Sequence, residues 1–137
     1  MTGIVYKVES NLDAPEFIDV LNRSTLGERR PVDDFKRITE MCKNANLIVT
    51  ARLDRKLIGF ARSITDFAYC TYLSDLAVDE AYQKKGIGRK LIEETKRQAP
   101  RAKLILLSAP AEIDFYPKIG MKKHKQCFIL DDINELK

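Results

Sequence analysis

The chain has no tryptophan, a single histidine and three cysteines among its 137 residues. Cys42, Cys70 and Cys127 are odd in number, far apart, and form no Cys-x-x-Cys pair. That argues against a disulfide framework or a zinc site and favours a reducing compartment, so a cytoplasmic protein is expected. One histidine, His124 in "KKHK", without a cluster of Cys, Asp or Glu argues against a catalytic metal, and no metal site is expected. It reads as a solvated residue, and the cysteines read as small core fillers. No apolar run approaches the roughly 20 residues of a membrane span. The opening "MTGIVYKVES" carries no basic segment followed by a long apolar core, so no secretory signal and no membrane partner are expected.

What is present is an ordinary globular composition, 45% hydrophobic and 32% charged. The length fits one domain over residues 1–137, large enough for a core without staples. The net charge is +4, carried largely by "QKKGIGRK" and "KRQAPRAK", while "PVDDF" and "LDDINEL" are acidic. A positive patch focused around a glycine turn suits a small polyanion at least as well as a duplex. Single-strand binders interleave aromatics with their basic runs, and none are interleaved here, so no nucleic-acid partner is expected.

Periodicity gives the order of elements. "GIVYKVE" alternates as a first strand. "SNLDAPEFIDVLNRSTLG" predicts a helix with Asp13 as N-cap, Pro15 early and Gly27 as the stop. "RPVDDFKRITEMCKN" predicts a second helix with Phe35, Ile38, Met41 and Cys42 on one face. "NLIVTARLD" and "KLIGFARSITD" are two strands around a tight turn at Asp54-Arg55-Lys56, and "YCTYLSDLAVD" is a third, as in an antiparallel meander. "GIGRKLIEETKRQA" is a helix. "KLILLSA", nearly all apolar, predicts a central strand covered on both faces and parallel to its predecessor. "PAEIDFYPKIG" predicts a short helix, and "CFILD" a strand that closes the sheet.

The "QKKGIGRK" turn therefore joins a strand to a helix. The first N–H groups of a helix lack internal partners and, with the helix dipole, make a ready anion site. Gly86 and Gly88 let bare backbone approach a phosphate, and Lys84, Lys85 and Arg89 add charge, so a pyrophosphate is the expected cargo. The competing reading is a helix start with two glycines in a solvated basic face.

"LSDLAVDEAYQKKGIGRKLIEE" resembles the acetyl-CoA-binding motif of the GNAT superfamily of N-acetyltransferases. The match is Leu76-Ala77-Val78, then Gln83-Lys84-Lys85-Gly86-Ile87-Gly88. "DFYPKIGM" resembles a second motif of that family through Phe115, Tyr116 and Gly120, with Met121 where Phe is commoner. The resemblance implies an α/β (α+β) fold of the GNAT type. Its mixed, mostly antiparallel central sheet would have six to seven strands with about four helices. A splayed parallel strand pair would form the cofactor cleft.

It also implies a chemistry. Backbone from Leu76 to Val78 would hold the pantetheine arm, with one N–H, most simply that of Leu76, polarising the thioester carbonyl. Amides from Gln83 to Arg89, including Ile87, would hold the pyrophosphate. A primary amine, on a small molecule or a peptide, would attack directly without a covalent enzyme intermediate. Tyr116 would be the general acid to the leaving thiolate, its alternative being a core tyrosine beside Phe115. Asp75 would be the base for the amine, its alternative being a solvated or salt-bridged strand carboxylate; Tyr72 and Glu112 are weaker candidates. Ser74 stands where polyamine acetyltransferases carry a second acidic residue. Ala109 and Glu112 depart from the pattern that relatives show before the tyrosine helix, and Ser108 is the substitute cofactor contact.

The residues near the acceptor loop, Arg23–Pro31, include Arg29 and Arg30, which suit a carboxylate or phosphate on the acceptor. A non-catalytic acyl-CoA sensor on the same fold is the second function class, and a homodimer completed through the last segment is the oligomer considered.

Overall fold

The computed structural model describes residues 3–137. It forms two compact units, one running to Leu107 and the other Ser108–Lys137.

The first unit is a sheet between helices. Strand β1 (Ile4–Val8) leads to helix α1 (Ala14–Arg23), a 3-10 turn (Leu26–Arg29) and helix α2 (Phe35–Asn44). Strands β2 (Leu47–Leu53), β3 (Lys56–Thr65) and β4 (Cys70–Val78) follow, then helix α3 (Ile87–Gln98) and strand β5 (Lys103–Leu106). The strands lie in chain order, β1 to β5, antiparallel except for the last pair.

Local chemistry accounts for several boundaries. Asp13 caps α1 by accepting from the Glu16 amide at 3.3 Å, and Pro15 lies in the first turn. The helix stops at Arg23 rather than at Gly27, because Thr25 already turns left-handed at φ 71°. Between β2 and β3, Asp54 and Arg55 both take positive φ, 50° and 72°, the pattern of a two-residue hairpin turn. Asp66 ties the β3–β4 turn by accepting from the amides of Ala68, Tyr69 and Cys70, which holds its carboxyl down at about 2.

Alternation along the strands sends side chains to two cores. Phe17, Val20 and Leu21 of α1 and Ile38 and Cys42 of α2 pack with Ile48, Leu57 and Phe60 on one face of the sheet. Leu47, Val49, Ala51, Ile58, Ala61 and Leu73 meet Ile87 and Leu91 of α3 on the other. Phe17 and Phe60 stack with ring centroids 4.4 Å apart.

Four sequence expectations change. Phe35 shares a helical period with Ile38 but is 56% exposed, since it opens α2 before the helix reaches the core. Of "KLILLSA" only Lys103–Leu106 forms a strand, at the edge of the sheet and, among the described residues, paired to β4 alone. Leu104 and Leu106 are half-buried, while Ile105 and Leu107 are exposed. "CFILD" forms no strand, and Phe128 is 90% exposed, so among the described residues the sheet has five strands and not six to seven. Of the cysteines only Cys42 fills the core, where burial pushes its thiol up to about 11; Cys70 and Cys127 are exposed.

The second unit holds a 3-10 turn (Pro110–Glu112), the four-residue helix α4 (Phe115–Lys118) and a 3-10 turn (Ile133–Glu135). Gly120 follows α4 at φ 99°, and the Gly120 and Met121 amides close the helix on the Pro117 and Tyr116 carbonyls. With α4 the described residues contain the expected four helices.

Truncating Phe60 to alanine should cost about 3–5 kcal/mol in denaturant unfolding, because it empties the centre of the first core. Phe35→Ala should stay within about 0.5 kcal/mol of wild type. Comparable losses from the two would contradict the assignment of Phe35 to the surface.

Candidate functional site

Strand β4 has two neighbours for only part of its length. It pairs with β5 through Cys70↔Lys103, Thr71↔Leu104, Tyr72↔Ile105 and Leu73↔Leu106. It continues to Val78 with β3 alone, in register as far as Gly59↔Val78. Among the described residues, backbone from Ser74 to Val78 therefore has no strand partner on its β5 side. Leu76, Ala77 and Val78 lie in this stretch, with Ala77 buried and its neighbours half-buried.

Gly59 lies across from Val78, and a Cβ there would come to 3.0 Å from the Ala77 carbonyl. Glycine thus permits the close approach of β3 that holds this segment from behind.

The turn after β4 is closed by its own residues. Asp79 caps a 3-10 turn (Glu80–Tyr82), accepting from the Ala81 amide at 2.9 Å. The Gln83 side chain donates to the Val78 carbonyl at 2.9 Å, so this side chain braces the turn. Lys84 and Gly86 take positive φ, 62° and 84°. Gly86 is the N-cap of α3 and brings no side-chain cap. Among the described residues no acceptor meets the amides of residues 84 to 89, and the first amide to bond back is that of Lys90, to the Gly86 carbonyl. Gly88 lies inside the first turn of α3 with no positive φ, so only Gly86 uses glycine's conformational freedom.

A twelve-residue helix thus opens with free amides. Lys84 and Lys85 are exposed and, among the described residues, in no ion pair. Arg89 is 61% exposed and lies 3.8 Å from Glu93. These groups fit a diphosphate: donors without acceptors, a backbone with no Cβ in the way, and a local excess of positive charge.

Asp75 sits elsewhere in chemical terms. It is buried on the α1–α2 face of the sheet, and each of its oxygens accepts from a guanidinium. Arg30 Nε reaches Oδ1 and Arg62 Nε reaches Oδ2. The two oxygens that a base would use are already occupied. Arg30, expected to face an acceptor, also donates to the Arg29 and Ser74 carbonyls, at 2.9 and 2.8 Å. Sequence reasoning missed both pairings, since 45 and 13 residues separate the partners. It also missed Arg23, which ion-pairs with Asp79 and donates to the Leu57 carbonyl at 2.9 Å.

In the second unit, Tyr116 opens α4 beside Phe115, the rings edge to face with centroids 5.0 Å apart. Burial, reinforced by the Glu112 carboxylate, pushes the Tyr116 phenol above its ordinary value. It is held protonated, the form able to donate. Ser108 turns its hydroxyl onto the neighbouring Ala109 carbonyl at 2.7 Å. Tyr72 of β4 is exposed, as is Glu112. No group of His, Cys, Asp and Glu suited to a metal occurs among the described residues.

Comparison with known proteins bears on this arrangement. A family model described as the acetyltransferase (GNAT) family matches residues 13–121. A chloroplastic GCN5-related N-acetyltransferase of Arabidopsis thaliana is 33% identical over 72 residues, 50% of this chain and 28% of the relative. The chain spans 28% to 57% of the length of the first curated relatives it matches. Among solved structures, a GNAT-family acetyltransferase of Streptococcus pneumoniae superposes with TM-score 0.78 at 19% identity, covering 96% of this chain and 98% of its own. An aminoglycoside N-acetyltransferase in complex with CoA superposes with TM-score 0.72 at 14% identity, covering 95% of each chain. At these identities the two structures speak for the fold alone.

Alanine at position 86 should cost about 1–2 kcal/mol, the penalty of a left-handed residue with a Cβ. The added atom would meet nothing within 4 Å, so the loss is conformational. Asparagine, which tolerates that conformation better, should lose less than alanine in the same denaturant titration. Equal losses would show that the turn is not held left-handed.

Proposed function

The chain belongs to the GNAT acetyltransferase family, and from that premise we propose that it transfers an acetyl group from acetyl-CoA to a primary amine. The observation that carries this reading is the junction of β4 and α3. One strand loses its neighbour at Leu73, and nine residues after that strand ends at Val78 a helix opens at Ile87 with amides and two lysines that have no partner among the described residues. An elongated ligand with an anionic end and an amide-bearing arm matches both halves. A relative of this fold has been solved with CoA bound, in keeping with that match.

When bound, acetyl-CoA supplies the activated acetyl group. The chain's own groups do the rest. Amides of residues 84 to 89, with Lys84, Lys85 and Arg89, hold the diphosphate. Free backbone groups between Leu76 and Val78 hydrogen-bond the pantetheine arm and fix its direction. The Leu76 N–H is aimed at the carbonyl oxygen, where negative charge grows as the amine attacks. Tyr116 donates its proton to the departing thiolate; the raised phenol keeps that proton available at neutral pH. The amine attacks the acetyl carbon directly, and the buried Cys42, pushed away from the thiolate form, takes no part.

The decisive experiment offers acetyl-CoA with a panel of amines and follows free thiol. Wild type should release thiol with at least one amine, and Tyr116→Phe should lose about 10²- to 10⁴-fold in kcat, the range of a lost general acid, with CoA affinity unchanged. Normal CoA binding with no thiol release from any amine would contradict transfer and favour a binding module. Full turnover in Tyr116→Phe would remove the proton donor from the scheme.

A further inference from the structure

The segment that the proposed function relies on, Leu76–Val78, is bracketed by Asp75 and Asp79, each ion-paired to an arginine of α1 or of the loop behind it, and Asp75 to Arg62 of β3 as well. At one end stands a bulge. Opposite β3, Arg62 pairs with Asp75 and Ser63 with Leu73, so Ser74 is an extra residue on β4. The same residue marks where β5 leaves, since the last parallel pair is Leu73↔Leu106. A bulge of this kind turns the residues beyond it, and here it sets the direction of the backbone that follows.

Two arginines take both Asp75 carboxylate oxygens, the Ser74 hydroxyl and the Ser74 carbonyl. Arg62, from β3, binds Asp75 through Nε and donates to the Ser74 hydroxyl at 3.0 Å. Arg30, from the loop between α1 and α2, binds the other Asp75 oxygen through Nε and donates to the Ser74 carbonyl at 2.8 Å. Arg62 also donates to the Met41 carbonyl near the end of α2, at 3.3 Å. At the far end of the segment, Asp79 takes Arg23 from the last turn of α1. Arg23 and Arg30 flank a loop in which Thr25, a β-branched residue, is left-handed at φ 71°. Such a conformation persists where the surroundings fix it; here the two ion pairs act together with the Ser24 hydroxyl, which accepts from the Leu26 amide at 3.2 Å.

Resting on the acetyl-transfer reading, we propose that Arg30, Arg62 and Asp75, together with Arg23 and Asp79, form a two-point clamp that aims the Leu76–Val78 backbone, with Asp75 a positioning residue and not the base. A carboxylate that is 0% exposed and shared between two guanidiniums meets no amine unless the clamp opens. Because Arg30 stands on the segment read as the acceptor loop, the clamp also ties that loop to the cofactor segment. Disturbing the loop then disturbs the aim of the Leu76 amide.

The test is steady-state kinetics across pH on Arg30→Gln, Asp75→Asn and the double variant. Both single variants should lose kcat/KM by similar factors, about 10²-fold at most, the scale of a small misplacement. The double variant should lose no more than the worse single one, because both substitutions open one clamp. All three should keep the limbs of the wild-type pH profile. Arg30→Lys should rescue little, since a point charge does not bridge Ser74 and Asp75 together.

The clamp is overturned if Asp75→Asn alone loses about 10²- to 10⁴-fold and drops a limb that Arg30→Gln keeps, which is the behaviour of a base. Additive losses overturn it as well. Where Asp75→Asn fails to fold, the half-exposed Arg30 carries the test through its Gln and Lys variants, read by amide hydrogen exchange. Arg30→Gln should speed exchange in residues 74–79 and 24–31 together, and unchanged exchange contradicts the clamp. That readout needs no turnover. A wild-type protein that transfers nothing therefore sinks the acetyl-transfer reading, while the exchange result still decides the clamp.

Discussion

The parallel ladder between β4 and β5 ends at Leu73, and the rest of the site depends on that ending. A fully paired β4 would spend its backbone donors and acceptors on neighbours and have none for a ligand. By stopping one ladder while the other runs on to Val78, the sheet keeps a strand that is rigid on one side and free on the other. Rigidity comes from β3, whose Gly59 allows close approach, and from the Phe17–Phe60 stack beneath. A site built on such a strand holds its donors more firmly than a loop would.

Charge then works at two distances. The lysines of the α3 turn face solvent and add to the partial positive charge of the helix end. The arginines of the first helix and its loop act inward. Arg23, Arg30 and Arg62 are spent on carboxylates and carbonyls of the chain itself, in places where water has little access. The basic excess seen in composition therefore divides into a solvent-facing part and a structural part, and only burial separates the two.

Much of this was legible in the sequence wherever the cause was local. Asp13 as a cap, the Asp54–Arg55 hairpin turn and Gly86 at the head of α3 follow from residue chemistry within a few positions. The α3 turn stood out because two glycines at a helix start are costly unless bare backbone is needed there. What failed were properties set by distant chain. The apolar run "KLILLSA" suggested a central strand, yet periodicity does not tell an edge from a centre when no partner is known. "CFILD" has the composition of a strand but makes no ladder. Phe35 obeys the helical period and still faces outward. The pairing of Arg30 with Asp75 across 45 positions had no local signal, so Asp75 could be read as a base or as a salt-bridged carboxylate, and its partner could not be named.

The most direct test of the central claim is a backbone amide NMR titration with CoA. Binding through the unpaired strand and the helix mouth predicts that the largest shifts fall on residues 76–78 and 84–89. An adenosine diphosphate fragment should move only the second set. Shifts that avoid both segments, or that spread evenly over the basic surface and vanish with modest salt, would contradict the account.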